Sequence, residues 1–304
     1  MKNYLAIDIG GTYIKFANID HSGGLQATQR IATPASLTEL KKCLITIISA
    51  NIQQIYGVGI SCPGRVDPQK GVIYNGGALP FLHQFPLMEF VEQTFQIPCA
   101  VCNDGKSAAL SELWLGRLKG HQNAAAIVLG TGVGGGIISN GQLLQGEHFQ
   151  AGELSFIPRQ STSGATKDLI GFSGSAVQFI QQAAKCLNLK DQNDGQSVFK
   201  AINDGNEEVV LLFQKYCREI VHVILTLQAI LDIEKIVIGG GISQQKRLID
   251  QIRQVYTEVR KESEIVEATF PAVAIEACKF GNEANLLGAV YMLLLKIETI
   301  TEGV

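Results

Sequence analysis

The spacing of apolar and polar positions changes along this chain, and it predicts alternating strands and helices. Apolar-rich runs at 4–9, 13–19, 55–61 and 98–102 read as strands. Between the second and third, residues 38–49 place Leu40, Leu44, Ile47 and Ile48 on one face at helical spacing. Pro86 is expected as the first residue of a second helix running through Phe90, Val91 and Phe95. A third helix follows Asn103 and Asp104, either of which can cap it, and stops near Gly116. Its apolar positions are Ala108, Leu110, Leu113 and Trp114. A second strand-rich block begins at Ala124 and leads to a polar loop at about 158–168. Helices over 174–187 and 206–231, a buried strand at 235–238, a helix over 245–262, a strand over 272–277 and a closing helix over 282–297 complete the pattern.

Two glycine-rich turns interrupt this pattern, each set between two strands. The first is Gly10-Gly11-Thr12, after Ala6-Ile7-Asp8-Ile9 and before Tyr13-Ile14-Lys15-Phe16. The second is Gly130-Thr131-Gly132-Val133-Gly134-Gly135-Gly136, followed by the hairpin signal Asn140-Gly141. Without a Cβ, such turns let backbone N–H groups approach an anion closely. Dinucleotide and Walker A loops run from a strand into a helix. Neither turn does so here, and no Gly-Lys-Ser/Thr accompanies them. The pair predicts two jaws closing on the phosphates of one nucleotide. Two α/β halves, each opening with strand, glycine turn and strand, imply a duplicated fold with a ligand cleft between its domains.

Three acidic residues are candidates for chemistry. Asp8 ends the first strand, and a carboxylate beside a phosphate loop is unfavourable unless a cation lies between them. Magnesium, which takes one or two carboxylates and keeps several waters, suits that place; a turn-capping carboxylate is the other reading. Thr12 can donate its hydroxyl to a phosphate. Asp104 opens a helix after a strand, where it can accept the proton of an attacking hydroxyl or serve as a cap. Glu153, in Ala151-Gly152-Glu153-Leu154, can hold substrate hydroxyls or lie in solvent. Gly77, in Asn75-Gly76-Gly77-Ala78, is small enough to let a ligand reach the backbone.

With 304 residues, 46% hydrophobic and 17% charged, the chain has room for two cores. A net charge of −3 gives no basic surface for nucleic acid. No apolar run is long enough for a bilayer. A strand by Tyr4 leaves no room for a signal peptide, so a cytoplasmic location is expected. Seven cysteines make no disulfide framework. Cys99 and Cys102 are expected as small core residues on a buried strand, since no second pair completes a zinc site.

In this order the motifs resemble the ROK family of sugar kinases, within the actin-like ATPase superfamily. Asp8-Ile-Gly-Gly-Thr-Tyr-Ile-Lys15 is similar to its first phosphate motif, and Gly59-Ile-Ser-Cys-Pro-Gly-Arg-Val-Asp67 to its Pro-Gly segment. Asn103-Asp104 with Ala108-Ala109 resembles the catalytic-aspartate motif, and 129–136 the second phosphate motif. Gly152-Glu153 resembles the sugar-binding pair, and Ile238-Gly-Gly-Gly-Ile-Ser243 the nucleoside-side glycine motif. The resemblance implies two actin-like, ribonuclease H-like α/β domains: residues 1–119 with the closing helix 288–304, and residues 120–287. It implies an ATP-dependent kinase acting on a sugar hydroxyl, usually the 6-hydroxyl. Asp104 is then the general base, and Asn103 and Glu153 hold the sugar. Asp8, Gly10, Gly11, Thr12, Gly130, Thr131 and Gly132 lie at the magnesium-phosphate end, with Asp8 reaching magnesium directly or through water. Gly239 and Gly240 lie against the nucleoside. The partners implied are ATP and a small-molecule sugar, and, since members often form dimers, a second copy.

Two departures from the family pattern bear on substrate. Many members carry Gly-Glu-x-Gly-His, whose His binds a structural zinc and a sugar hydroxyl near the anomeric carbon. This chain has Phe156 there, and no cysteine from Ser161 to Ser173. No zinc is therefore expected, and the loop must be held by its own packing. Losing the His removes a hydrogen bond of about 0.5–1.5 kcal/mol to the sugar, and with it a reason to reject substrates lacking a free anomeric hydroxyl. An aromatic ring can instead stack on an aglycone or second sugar, as in the beta-glucoside kinase branch. A monosaccharide kinase for glucose, N-acetylmannosamine or fructose shares every other motif. A sugar-binding repressor or inactive sensor is the third reading. The repressor needs DNA-binding helices ahead of Asp8, where seven residues stand; intact Asp8 and Asp104 argue against the sensor.

Overall fold

In the computed structural model, residues 3–159 and 166–302 are described. The chain divides into two compact units. The first holds residues 1–119, 145–151 and 282–304, the second 120–144 and 152–281. In chain order the elements begin with β1 (Asn3–Ile9), β2 (Tyr13–Asp20), β3 (Gln29–Ala32), α1 (Leu37–Asn51), β4 (Ile55–Cys62) and β5 (Arg65–Asp67). There follow β6 (Val72–Tyr74), β7 (Phe85–Pro86), α2 (Leu87–Phe95), β8 (Cys99–Asn103) and α3 (Asp104–Trp114). The second unit has β9 (Ala124–Leu129), β10 (Val133–Ser139), β11 (Gln142–Leu143), α4 (Ile170–Ser173), α5 (Ala176–Cys186) and α6 (Gly195–Asn203). It continues with α7 (Glu207–Leu231), β12 (Lys235–Gly240), α8 (Lys246–Lys261), α9 (Glu264–Thr269) and β13 (Ala274–Ala277). The last helix, α10 (Ala284–Glu302), returns to the first unit.

Each unit is built on a five-stranded sheet of one design. The orders are β3-β2-β1-β4-β8 and β11-β10-β9-β12-β13. In both, the first two strands of the unit form an antiparallel hairpin around a glycine turn. The other two neighbours run parallel to the first strand, as crossover helices require. Each sheet has its own core. Leu5, Ile7, Leu40, Leu44, Val58 and Ile60 are buried in the first. Ile127, Phe179, Phe213, Ile220, Ile236 and Ile252 are buried in the second. The helix ends follow local chemistry. Ser36 accepts from the Glu39 amide at α1, and Asn206 from the Val209 amide at α7. The α7 helix ends on Asp232 in the left-handed conformation.

The α10 helix packs on β1, β4, β8 and α3. A Cβ on Gly288 would overlap the carbonyl of Ser107, and one on Gly59 would overlap that of Ala289. Backbone therefore meets backbone where α10 crosses α3 and β4. One turn further along, Trp114 and Tyr291 stack with centroids 5.3 Å apart.

Some elements differ from the sequence pattern. Pro86 precedes the second helix instead of starting it, because it pairs with Val72 in β7. The small sheet β5-β6-β7 has strands of two or three residues, too short to show a period. In β3 all four residues are exposed, so no alternation marks it. The nine-residue α6 and six-residue α9 are also additions. The polar loop expected at 158–168 lies partly outside the described residues, which resume with a 3-10 turn at Thr166–Asp168.

The crossing at Gly288 sets a stability test. Gly288→Ala should destabilise the protein by about 1–3 kcal/mol, the range for overpacking. Gly195→Ala, whose Cβ would stand at an ordinary 3.6 Å from Ile180, should leave it unchanged or slightly raised. Urea midpoints of the two variants and the parent make the comparison.

Candidate active site

In the first unit, β1 delivers Asp8 to the mouth of the Gly10-Gly11-Thr12 turn. The Gly10 amide donates to the Tyr13 carbonyl at 3.0 Å and closes the hairpin. Thr33 braces the turn from outside, its hydroxyl donating to the Gly10 carbonyl at 2.7 Å and its amide to the Thr12 carbonyl at 3.0 Å. The loop that carries Gly77 lies beside it: a Cβ at Gly11 would stand 3.2 Å from that of Ala78. Gly77 in turn abuts Pro63 and Gly64. The Asn103 side-chain Nδ2 donates to the Gly64 carbonyl at 3.0 Å. Gly11, Gly77, Asn103 and Asp104 are thus linked through direct neighbours within one unit.

Asn103, not Asp104, is the cap of α3. Its Oδ1 accepts from the Lys106 amide at 3.1 Å. Asp104 is the first helical residue, and its Oδ1 accepts from the Gly105 amide at 2.8 Å and from Asn103 at 3.0 Å. Its side chain reaches solvent, yet the protein around it and the nearby charge of Asp8 hold its pKa above the ordinary carboxylate value. Asp8 is 6% exposed. Burial raises its pKa as well, partly opposed by the hydrogen bond from Asn285, the nearby Ser61 hydroxyl and the charge of Lys15. Asn285, on α10, donates to Asp8 at 3.1 Å.

Asp8, a hard carboxylate at the mouth of the first glycine turn, is the residue here that could hold magnesium completed by phosphate oxygens and water. Among the described residues, no group of three or more His, Cys, Asp or Glu could hold a metal by itself. Of the segment Ser161 to Ser173, where no zinc is expected, residues 161–165 lie outside the described residues.

Lys106 escaped the sequence reading. It is 2% exposed, and its ammonium donates to Gln145 Oε1 and to the Phe149 carbonyl, both at 2.9 Å. It fastens segment 145–151, where Phe149 sits at φ +59°, to the helix that opens with Asp104. Beneath the site, Cys62, Cys99 and Cys102 are buried. Burial pushes the Cys102 thiol up to about 11, so little thiolate forms there at neutral pH.

In the second unit, the Gly130 amide donates to the Gly132 carbonyl at 3.0 Å. The Gly130 carbonyl accepts from the Val177 amide at 3.3 Å and from the Ser175 hydroxyl at 3.4 Å. Ser175 also caps α5, so the turn is moored to a helix N-terminus. Thr131 is exposed at the tip of the turn. Ser155 accepts from the Val133 amide at 2.9 Å, and Gly152 lies 3.3 Å from Gly136 by its notional Cβ. These contacts hold the segment that carries Glu153 and Phe156 against β10. Phe156 is 64% exposed.

Strand β12 ends at Gly239 and Gly240. Gly240, at φ +97°, packs against the Leu129 backbone, where no side chain would fit. Beyond it is a cavity of about 170 Å³ lined by Leu129, Ala176, Val177, Ile180, Ile242 and Asn193. Apolar walls with one amide suit a flat heterocycle. Asn193, Ile180 and Asn285 gave no local signal. Ser175 had one, the Ser-x-x-Gln capping box.

The sequence pattern of the ROK family matches residues 4–296. Beta-glucoside kinase of Listeria innocua is 28% identical over 298 residues, 95% of this chain and 96% of that protein. Glucokinase of Streptomyces coelicolor is 28% identical over 310 residues, 94% of this chain and 95% of that protein. A solved ROK family protein from Streptococcus pneumoniae, in complex with sucrose, is 29% identical with a TM-score of 0.87, covering 98% and 99% of the two chains. The doubled five-stranded sheet is the actin-like ATPase fold. Equal identity to kinases of different acceptors means that overall likeness does not select the sugar.

The raised pKa of Asp8 has a definite sign in stability. The folded protein holds this proton more tightly than the unfolded chain, so stability falls as pH rises from the ordinary 3.8 through the folded value. Asp8→Asn should melt above the parent at pH 7, with the gap closing as pH falls towards 3.8. Parallel thermal melts across that window check it; a lower melting point at pH 7 would contradict the assignment.

Proposed function

The chain belongs to the ROK family and is an ATP-dependent carbohydrate kinase, and we propose that its acceptor is the 6-hydroxyl of a glucose unit within a β-glucoside or disaccharide. The observation that carries this is Phe156, a largely exposed ring where many family members place a sugar-binding His. It removes a polar contact near the anomeric carbon and offers a face for an aglycone or second sugar. The beta-glucoside kinase of Listeria innocua and the sucrose-bound relative support an acceptor larger than one ring. The equally similar glucokinase favours the alternative, a monosaccharide kinase.

In this reading Asn103, Gly77 and Glu153 orient the sugar. The 6-hydroxyl oxygen attacks the γ-phosphorus, its proton passes to Asp104, and the bond to the β-phosphate oxygen breaks to release ADP. The raised proton affinity of Asp104 suits that role. Gly10 and Gly130 close their turns with their own amides, and Gly11, Thr12, Thr131 and Gly132 are the turn residues that would offer backbone amides and hydroxyls to phosphates. Gly239 and Gly240 bound the nucleoside side, next to the apolar cavity. Magnesium, held by Asp8 directly or through water, would neutralise phosphate charge.

ADP release with Mg-ATP across cellobiose, gentiobiose, salicin, glucose, N-acetylmannosamine and fructose tests the acceptor. Turnover of the glucosides is expected; turnover confined to one monosaccharide would overturn the glucoside reading and keep the kinase. Asp104→Asn should lower kcat by about 10²–10⁴-fold while sugar KM changes little. Near-normal turnover in that variant would remove Asp104 as the base.

A further inference from the structure

A second cavity, of about 210 Å³, lies within the second unit on the other face of α5. Ala176, Val177 and Ile180 line the cavity next to the glycine turn, whereas Gln178, Phe179 and Gln182 line this one. The opposite wall is a single face of α7, where Leu212, Lys215, Tyr216 and Glu219 recur at three- and four-residue spacing. Arg159, Lys167, Phe172 and Ser173 complete the lining.

The charges do not cancel. Glu219 is buried and matched by Arg159 at 2.8 Å, and it accepts from the Ser173 hydroxyl at 3.1 Å. That leaves Lys167 and Lys215, neither in an ion pair among the described residues, and a net charge of +2 from three cations and one carboxylate. Tyr216 stacks on Phe179 at 4.7 Å, and its buried hydroxyl has no hydrogen-bond partner among the described residues. A buried polar group without a partner is rare enough to need a reason. The two glutamine amides and the edge of Phe172 add hydrogen-bonding groups and an apolar face.

We propose that this cavity binds a small phosphate monoester of a sugar. The dianion, with about −1.5 to −2 charge at neutral pH, matches the two lysines. The hydroxyls match the glutamine amides and supply the acceptor that Tyr216 lacks, and the C–H face of the ring lies on Phe172. The volume is below the range for drug-sized ligands, about 300 Å³ and upward, and suits one sugar ring with its phosphate. Since Ser175, at the head of α5, is bonded to the Gly130 carbonyl, the occupied cavity abuts the helix that moors the second glycine turn.

Calorimetry on the full chain without ATP tests the site, with glucose 6-phosphate, inorganic phosphate and glucose as probes. Glucose 6-phosphate should bind to the parent and weaken by about tenfold or more in the Lys167→Gln/Lys215→Gln double variant, which loses two charge-assisted contacts. Tyr216→Phe should weaken it less. Both variants should keep the parent kcat and acceptor KM in the absence of sugar phosphate, so the result is independent of the acceptor reading. Binding that is unchanged in the double variant would place the ligand elsewhere and overturn the proposal, as would no binding at all. Inorganic phosphate binding as tightly as glucose 6-phosphate would overturn the sugar part.

Discussion

The first unit depends on one close approach, that of α10 to β4 and α3. Glycine at 59 and 288 lets two backbones touch where any side chain would hold them apart. That proximity brings Asn285 to Asp8, residues 277 positions apart in sequence. It also sets Tyr291 on Trp114, and Lys296 on Glu92 at 2.8 Å and on the Cys99 carbonyl at 2.9 Å. The central strand that carries Asp8 and the helix that opens with Asp104 are therefore registered by the same helix. A looser crossing would release both.

On that frame stand two carboxylates whose proton affinity burial raises, and the charge of Asp8 raises that of Asp104 further. Neither has an adjacent side-chain cation strong enough to bring it back to the ordinary range. Keeping such groups charged in the folded protein costs stability. Strain at a functional site, offset by packing elsewhere, is a common arrangement. The offset here is visible in the fully buried faces of β1, β4 and β8. The buried thiols under the site are kept neutral by the same low-dielectric surroundings.

Much of this was legible in the sequence because it is local. Each glycine turn sits within a dozen residues of the strands that flank it, and Asp8 and Asp104 lie at strand ends whose apolar runs are continuous. The periodic helices, α1, α7 and α8, follow from residues three and four apart. What escaped the reading is of three kinds. The strands β5, β6 and β7 are too short for a period, and pairing with Val72 overrode the helix-start preference of Pro86. Lys106 and Phe149 meet across 43 positions, and neither residue type announces a buried clamp. Asn193 and Ile180 become neighbours only through the packing of α5. Local chemistry writes turns and caps; the partners of a buried charge are chosen by the tertiary fold.

The place of α10 in the chain has a consequence for how the molecule is made. The strands of the first unit leave the ribosome early, but the helix that covers β4 and β8 is synthesised after residue 281. Residues 120–144 and 152–281 are complete by then and can condense around their own core. The first sheet must wait, with Gly57, Gly59 and the apolar face of β4 uncovered for as long as the intervening stretch takes to emerge. Folding order and synthesis order are therefore opposed: the second half closes first, and the oldest segment is the last to be finished.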